Sequence, residues 1–187
     1  MALRTLSEND LFLILNWRNA PAVRMSMYST NEISDEEHRA WFARMQTNQT
    51  SLWYLYENEQ GHPDGVVYFT NLQEKNRSAF WGFYTNPFAL PGTGTKLGRD
   101  AMNEAFSVKH LHKLNSEVLI SNTKSIKLHH RLGFRQEGLF KDHHLTDSGY
   151  IDVVRLGMLS SEWLDTRASV DSYIAQFNTP LASDQGR

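Results

Sequence analysis

Apolar and polar positions fall in blocks along this chain, and the blocks predict its elements. "ALRTL" reads as a short first strand. Behind "SEND", where Ser7 and Asp10 stand at capping-box spacing, the apolar run "LFLILNW" predicts a helix from about Glu8. "RNAPAVRMSMYSTNEI" holds Pro21 and few periodic apolar positions, and reads as a loop. A second box, Ser34 to Glu37, opens "DEEHRAWFARMQ", a helix that puts Trp41, Phe42 and Met45 on one side. "SLWYLYE", "GVVYFTNL" and "RSAFWGFYT" are aromatic and β-branched, are separated by Gly, Pro, Asp and Asn turns, and read as strands. After a glycine turn, Leu97, Ala101, Met102, Ala105 and Phe106 form a helical stripe. "KLNSEVLI" predicts a strand and "TKSIKLHHRL" a short helix ended by Gly133. Two strands around "TDSG", the helix "SSEWLDTRASVDSYIAQF" and a polar tail complete the chain. Adjacent strands mixed with single crossovers predict an α+β or mixed-sheet α/β domain rather than an alternating doubly wound one.

Composition narrows the function classes. The 187 residues suffice for one filled core, and a net charge of -2 lacks the basic footprint of a nucleic-acid binder. With no cysteine there is no disulfide, thiolate metal site or cysteine nucleophile, which fits a reducing compartment. The N-terminal segment reads as neither signal peptide nor spanning helix, so a cytoplasmic protein without membrane contact is expected. His110/His112, His129/His130 and His143/His144 lack the i, i+4 spacing of a helical metal site, and no metal is expected. No G-x-S-x-G nucleophile elbow occurs.

The glycine turn in "YTNPFALPGTGTKLGRDAMNEAF" is the strongest local signal. It lacks the Gly-Lys-Ser/Thr of a Walker loop, and Gly92, Gly94 and Gly98 are spaced one residue too widely for the dinucleotide fingerprint. The physical core of such loops remains: backbone N–H groups of Gly92, Thr93, Gly94, Thr95 and Lys96 converging on an anion at a helix N-terminus. A plain turn before a helix reads equally well from these residues alone.

Two ordered motifs carry a resemblance. "WGFYTNP" precedes "PGTGTK", and after a helix "EVLISN" precedes "SIKLHHRLGF", with Asn122, Leu128, Gly133 and Phe134 in register. Over residues 81–134 this resembles the GNAT superfamily of N-acetyltransferases, although Pro91 stands where Gln or Arg is usual and Lys96 where Gly or Ala is usual. The resemblance implies the GNAT fold, a mostly antiparallel mixed sheet of about seven strands flanked by helices, with acetyl-CoA as co-substrate. It implies that Phe83, Tyr84 and Thr85 pair with the pantetheine arm and that Gly92 to Lys96 hold the pyrophosphate. It further implies that Asn122 bonds the pantetheine or its surroundings. Lys127 and Arg131 meet the nucleotide end or stay solvated.

Over residues 3–164 the chain resembles one branch, the bacterial N-acetyltransferases of pseudaminic acid biosynthesis, which acetylate the free amine of a UDP-linked 4-amino-4,6-dideoxy sugar. That resemblance implies Arg18 and His38 near the nucleotide-sugar phosphates, and an apolar wall of Met27, Tyr28, Trp41 and Trp81 for the deoxy-sugar, although by pattern alone Trp41 and Trp81 read equally well as core aromatics. It implies Glu117 as general base, against an ordinary edge-strand Glu. His129 stands where the family carries a Tyr, so either His129 or a water or other hydroxyl is the general acid. Other acceptors stay open, a polyamine or a protein N-terminus, as does a non-catalytic CoA-binding module. Arg18, Arg24 and His38 speak for an anionic acceptor over a polyamine. The expected division is a catalytic domain over residues 1–164 and a helical and polar extension over 165–187 that packs on the domain or contributes to a homodimer.

Overall fold

The computed structural model describes residues 2–178. Its first half runs β1 (Leu3–Thr5), α1 (Leu11–Asn19), α2 (Pro21–Arg24), α3 (Asp35–Thr47), β2 (Leu52–Glu57), β3 (Pro63–Gln73) and β4 (Ser78–Thr85). The second half runs α4 (Thr93–Asn103), β5 (Lys113–Leu119), α5 (Thr123–Leu132), β6 (Arg135–Thr146), β7 (Gly149–Leu159) and α6 (Ser160–Asn178). The strands form one 7-stranded sheet ordered β1-β2-β3-β4-β5-β7-β6. All neighbours are antiparallel except β4 and β5. This is the mostly antiparallel mixed sheet the resemblance implied.

The helix starts follow their capping residues. Ser34 Oγ accepts the Glu37 N–H at 3.2 Å while Glu37 Oε2 accepts the Ser34 N–H at 2.8 Å, the reciprocal box read from the sequence. At the first box, the Asp10 carboxylate accepts the Ser7 N–H at 2.8 Å, but the turn it closes, Glu8–Asp10, is 3₁₀, and α1 begins only at Leu11. The segment expected to be all loop contains α2. Pro21 sits at its first turn, where a missing N–H removes no helical bond.

Period-two alternation divides the strands between two cores. Tyr54 and Tyr56 of β2 join Leu97, Met102, Leu132 and Trp163 under α4, α5 and α6, while Leu55 joins Ile14, Phe42 and Val66 under α1 and α3. Helix α6 runs unbroken through the expected division at residue 164. Trp163, Val170 and Ile174 are all buried in the larger core, so α6 closes that face of the sheet.

The feature that positions the site lies at the sheet's centre. Strands β4 and β5 pair only over Ser78–Phe80 and Lys113–Asn115, and then diverge. Asn115 sits buried at the fork, where its Nδ2 donates to the Ala79 carbonyl at 3.2 Å.

Candidate active site

Ala79 therefore turns its carbonyl toward β5, and strand alternation turns the backbone groups of Trp81, Phe83 and Thr85 the same way. Past the fork these groups have no strand beside them. Tyr84, one residue out of step, faces β3, where it pairs with Val66. The gap opens into a cavity of about 370 Å³ lined by residues 81–85 of β4 and 116–119 of β5. The starts of α4 and α5 reach the same cavity through Thr93 and Gly94, and through Asn122, Lys124 and Ser125. Two helix N-termini thus bring their partial positive charge to one mouth. Gly82 belongs to this wall for a steric reason: the Tyr68 ring lies against its Cα, where a Cβ would collide with it.

The glycine turn is built for this approach, but not every expected donor is available. Gly92 adopts φ +94°, left-handed backbone that suits glycine, and the Phe177 ring closes over it. The N–H of Thr93 donates to the Leu90 carbonyl at 3.1 Å. Those of Thr95 and Lys96 donate to the Gly92 carbonyl at 2.9 and 3.1 Å. The Thr93 hydroxyl turns inward to Asp64 at 3.2 Å, Thr95 is buried, and Lys96 Nζ pairs with Glu59 at 2.8 Å. Five convergent donors thus reduce to the Gly92 and Gly94 amides, because the first helical turn consumes the rest.

Asn122 caps α5, its Oδ1 accepting the Ser125 N–H at 3.1 Å. Its amide NH₂ remains for a ligand in the cavity it lines. Two helical turns on from Asn122, His129 is 2 % exposed, and its Nδ1 lies 2.8 Å from the Ser125 carbonyl. A carbonyl only accepts, so Nδ1 carries the hydrogen and Nε2 holds a lone pair. Burial pushes the imidazole down to about 4. The general-acid expectation for His129 is thereby corrected: the ring is neutral near pH 7, and its remaining nitrogen accepts instead of donating.

On the acceptor side, Glu117 of β5 stands beside the loop that follows α2. Its Oε1 accepts from Arg155 Nη1 at 2.7 Å and its Oε2 from the Tyr28 hydroxyl at 3.3 Å. Arg155 is itself held over the Phe80 ring at 4.3 Å. Burial and the nearby Glu117 charge push the Tyr28 phenol up to about 12, so it stays a donor. Tyr28 also meets His144 of β6 edge to face at 4.9 Å, and with Met27 it walls this end of the cavity.

Other expected site residues lie elsewhere. His38 is buried between α1 and α3, stacked on Trp41 at 4.9 Å, and burial lowers its pKa. Trp41 meets Trp53 edge on at 4.8 Å in a separate depression with Arg44 and Met45. Neither borders the cavity: His38 is buried under α3, and Trp41 faces the separate depression beside Trp53. Arg18 is half-buried near Tyr68 and Tyr84, behind the cavity wall, and donates to the Ser29 carbonyl at 3.0 Å. Arg131 lies over the Tyr173 ring at 4.2 Å and reaches Thr95 Oγ1 at 3.4 Å, joining α5 to α4 and α6. Lys127 is exposed and does not line the cavity. Sequence reading missed Tyr68, Ser116, Lys124, Ser125 and Arg155. Lys124 and Ser125 could have been found as neighbours of Asn122 in the α5 first turn, whereas nothing local marks Tyr68 or Arg155.

A cleft open between two strands and ending at two helix N-termini suits a long anionic molecule bearing amides, laid along a strand. That is the shape of an acyl-CoA, and the class is an acyl-CoA-dependent transferase. A family model described as the acetyltransferase (GNAT) domain matches residues 1–135. The chain belongs to this GNAT acetyltransferase family, and it is an N-acetyltransferase that uses acetyl-CoA. Spermidine N(1)-acetyltransferase of Vibrio cholerae is 24% identical over 88% of this chain and 96% of its own. The [ribosomal protein uS5]-alanine N-acetyltransferase of Escherichia coli is 26% identical over 72% of this chain and 76% of its own. The crystal structure of the Vibrio cholerae spermidine enzyme with CoA and spermine superposes with a TM-score of 0.81 at 24% identity, covering 87% of this chain and 96% of that one. None of these relatives is named for a nucleotide sugar. Among the described residues no helix is long and apolar enough to cross a membrane, and no group of three or more metal-ligating side chains assembles.

Proposed function

We propose that the cleft transfers the acetyl group of acetyl-CoA to a primary amine that enters past Met27 and Tyr28, and that the acceptor is a polyamine. The observation that carries a cationic acceptor is Glu117, the one carboxylate among the described residues lining the cavity. Its Oε2 is satisfied only by the long bond from Tyr28, so an incoming ammonium can replace the phenol as donor. The spermidine acetyltransferases among the relatives favour a polyamine over the amino sugar expected from the sequence.

In the reaction the amine nitrogen attacks the thioester carbonyl, a C–N bond forms and the C–S bond breaks. Starting from the ammonium, the nitrogen gives up two protons in all; the leaving sulfur gains one and the other passes to solvent. Glu117, directly or through a water, takes the amine proton. Backbone N–H groups of the unpaired β4 segment stabilise the oxyanion. His129 has no proton to give at Nε2, so the sulfur receives its proton from the amine side or from water. Asn122 and the Gly92 and Gly94 amides hold the cofactor, with Lys124 beside them.

A second reading, the UDP-linked amino sugar, is favoured by one observation. Glu117 is already paired with Arg155, and no second carboxylate lines the cavity among the described residues to meet another ammonium of a polycation. An acceptor panel decides between them. With acetyl-CoA fixed and thiol release followed, spermidine and spermine should be acetylated ahead of a UDP-4-amino-4,6-dideoxy sugar and of an N-terminal alanine peptide. Preference for the sugar would reverse the order.

A further inference from the structure

One hydroxyl in the cavity wall bonds no protein group. Tyr68 lines the cavity with part of its surface open, and its hydroxyl has no hydrogen-bond partner among the described residues. The partnerless polar atoms sealed from solvent are others, Trp81 Nε1 and His129 Nε2 among them, so the Tyr68 hydroxyl is reachable. Its placement follows from the sheet. Tyr68 of β3 stands directly opposite Trp53 of β2 on one side and Gly82 of β4 on the other. The Trp53 ring stacks on it at 4.4 Å. Because Gly82 has no Cβ, the Tyr68 ring lies across β4, with Cζ and the hydroxyl oxygen nearest Gly82. Gly82 is two residues past the last β4–β5 pair, Phe80 with Asn115, and Glu117 is two residues past it on β5. Leu114 and Val118 face the larger core, so alternation turns Glu117 to the opposite face, the one that Val66 and Tyr68 share. Tyr68, reaching across β4, and Glu117, on β5, thus flank the throat of the fork on one face. Burial pushes the phenol up, against a smaller opposing effect of Arg18, so it stays protonated and donates.

We propose that the Tyr68 hydroxyl is a catalytic hydrogen-bond donor to the thioester carbonyl oxygen, joining the β4 backbone N–H groups as that oxygen becomes an oxyanion. This rests on the acetyl-CoA transferase reading and adds a named side chain to it. With the Gly92 and Gly94 amides holding the cofactor's phosphates beyond the far end of β4, its arm runs back along β4 and the thioester reaches the fork. Glu117 then takes the proton of the attacking amine on the same face that presents the Tyr68 hydroxyl. No proton leaves Tyr68. Its hydrogen bond strengthens as the C–N bond forms and charge builds on oxygen, and weakens as the C–S bond breaks. A donor already fixed between Trp53 and Gly82 needs no reordering at that moment, which makes it effective in a site shielded from water. An unpartnered, reachable donor in a cavity wall is also what a group reserved for a ligand presents.

The substitution Tyr68→Phe removes the hydroxyl and keeps the ring. Thiol release is followed with acetyl-CoA saturating and the preferred amine of the acceptor panel varied. CoA binding is measured calorimetrically and thermal unfolding by circular dichroism. The variant's kcat should fall about a hundredfold, the effect of removing one oxyanion donor, with the acceptor KM and CoA affinity within about twofold of the parent. Its melting temperature should not change, because the hydroxyl bonds no protein group. A raised acceptor KM with kcat intact would overturn the assignment and make Tyr68 a contact for the amine. Unchanged kcat and KM together would overturn it outright. A lower melting temperature or weakened CoA binding would overturn it in favour of a structural task in the cavity wall. If the parent releases no thiol with any amine of the panel, the transferase reading itself fails, and the role of Tyr68 with it.

Discussion

Glu117 and His129 were singled out by the same resemblance, and burial separates their roles. Glu117 keeps one face toward the cavity while Arg155 fixes the other. Glu117→Gln should therefore lower kcat by about a hundredfold or more, as expected for loss of a proton acceptor, and leave CoA affinity unchanged by calorimetry. A rise in the acceptor KM with kcat intact would mean that Glu117 only binds the amine. For His129 the folded pKa is pushed down to about 4, below its unfolded value near 6.5. Between those values the unfolded chain binds a proton that the folded chain does not. The group thus lowers stability as pH falls from about 6.5 to 4 and adds no further loss below. His129→Phe should remove this contribution, worth about 3 kcal/mol across the window, and flatten the acid limb of stability against pH. Unfolding curves of variant and parent that stay parallel over that window would contradict it.

At the scale of elements, helix α5 does two jobs through one cap. Asn122 fixes where the helix begins, and that in turn places Ser125 and, through the Ser125 carbonyl, the tautomer of His129. Asn122→Ala should cost about 1 kcal/mol of stability and also weaken CoA binding, whereas Asn122→Ser should retain most of the stability because Ser also caps. Equal melting temperatures for the Ala and Ser variants would show that the cap bond is dispensable. Elements were also where the sequence read best. Both capping boxes, the aromatic strands and the α4 stripe depend on neighbours a few residues apart. The α2 turn was missed because Pro21 signals a break and a first helical position equally well.

The whole molecule assigns a structural task to the segment beyond residue 164. Val170 and Ile174 complete the core beneath α4 and α5, and Phe177 covers Gly92 at the cofactor mouth. A chain ending at residue 164 should lose cooperative thermal unfolding by circular dichroism, since it uncovers that apolar face. A sharp melt near the parent temperature would show that the segment is an appendage. At the opposite end of the sheet, β6 is an edge strand with Leu139 and Phe140 partly exposed, blunted by an irregular stretch before His144 and by Lys141 and Asp142 within it.

By itself the sequence determined the order of elements apart from α2, the position of the glycine turn between β4 and α4, and the two motifs whose resemblance implied acetyl-CoA. All of these are set by spacing along the chain. Tertiary structure decided which side chains meet. Arg18, His38 and Trp41 read as acceptor residues, but Arg18 falls behind the wall, His38 is buried under α3 and Trp41 faces a separate depression, because the packing of α1 and α3 on the sheet decides which helix face meets the cavity. Arg155 meets Glu117 through the pairing of β7 with β5, which are distant in sequence, and Tyr68 is placed by the side of β3 that faces the cavity. The availability of a backbone donor and the tautomer of His129 depend on what each atom already bonds and on how deeply it is buried, which only the folded packing sets.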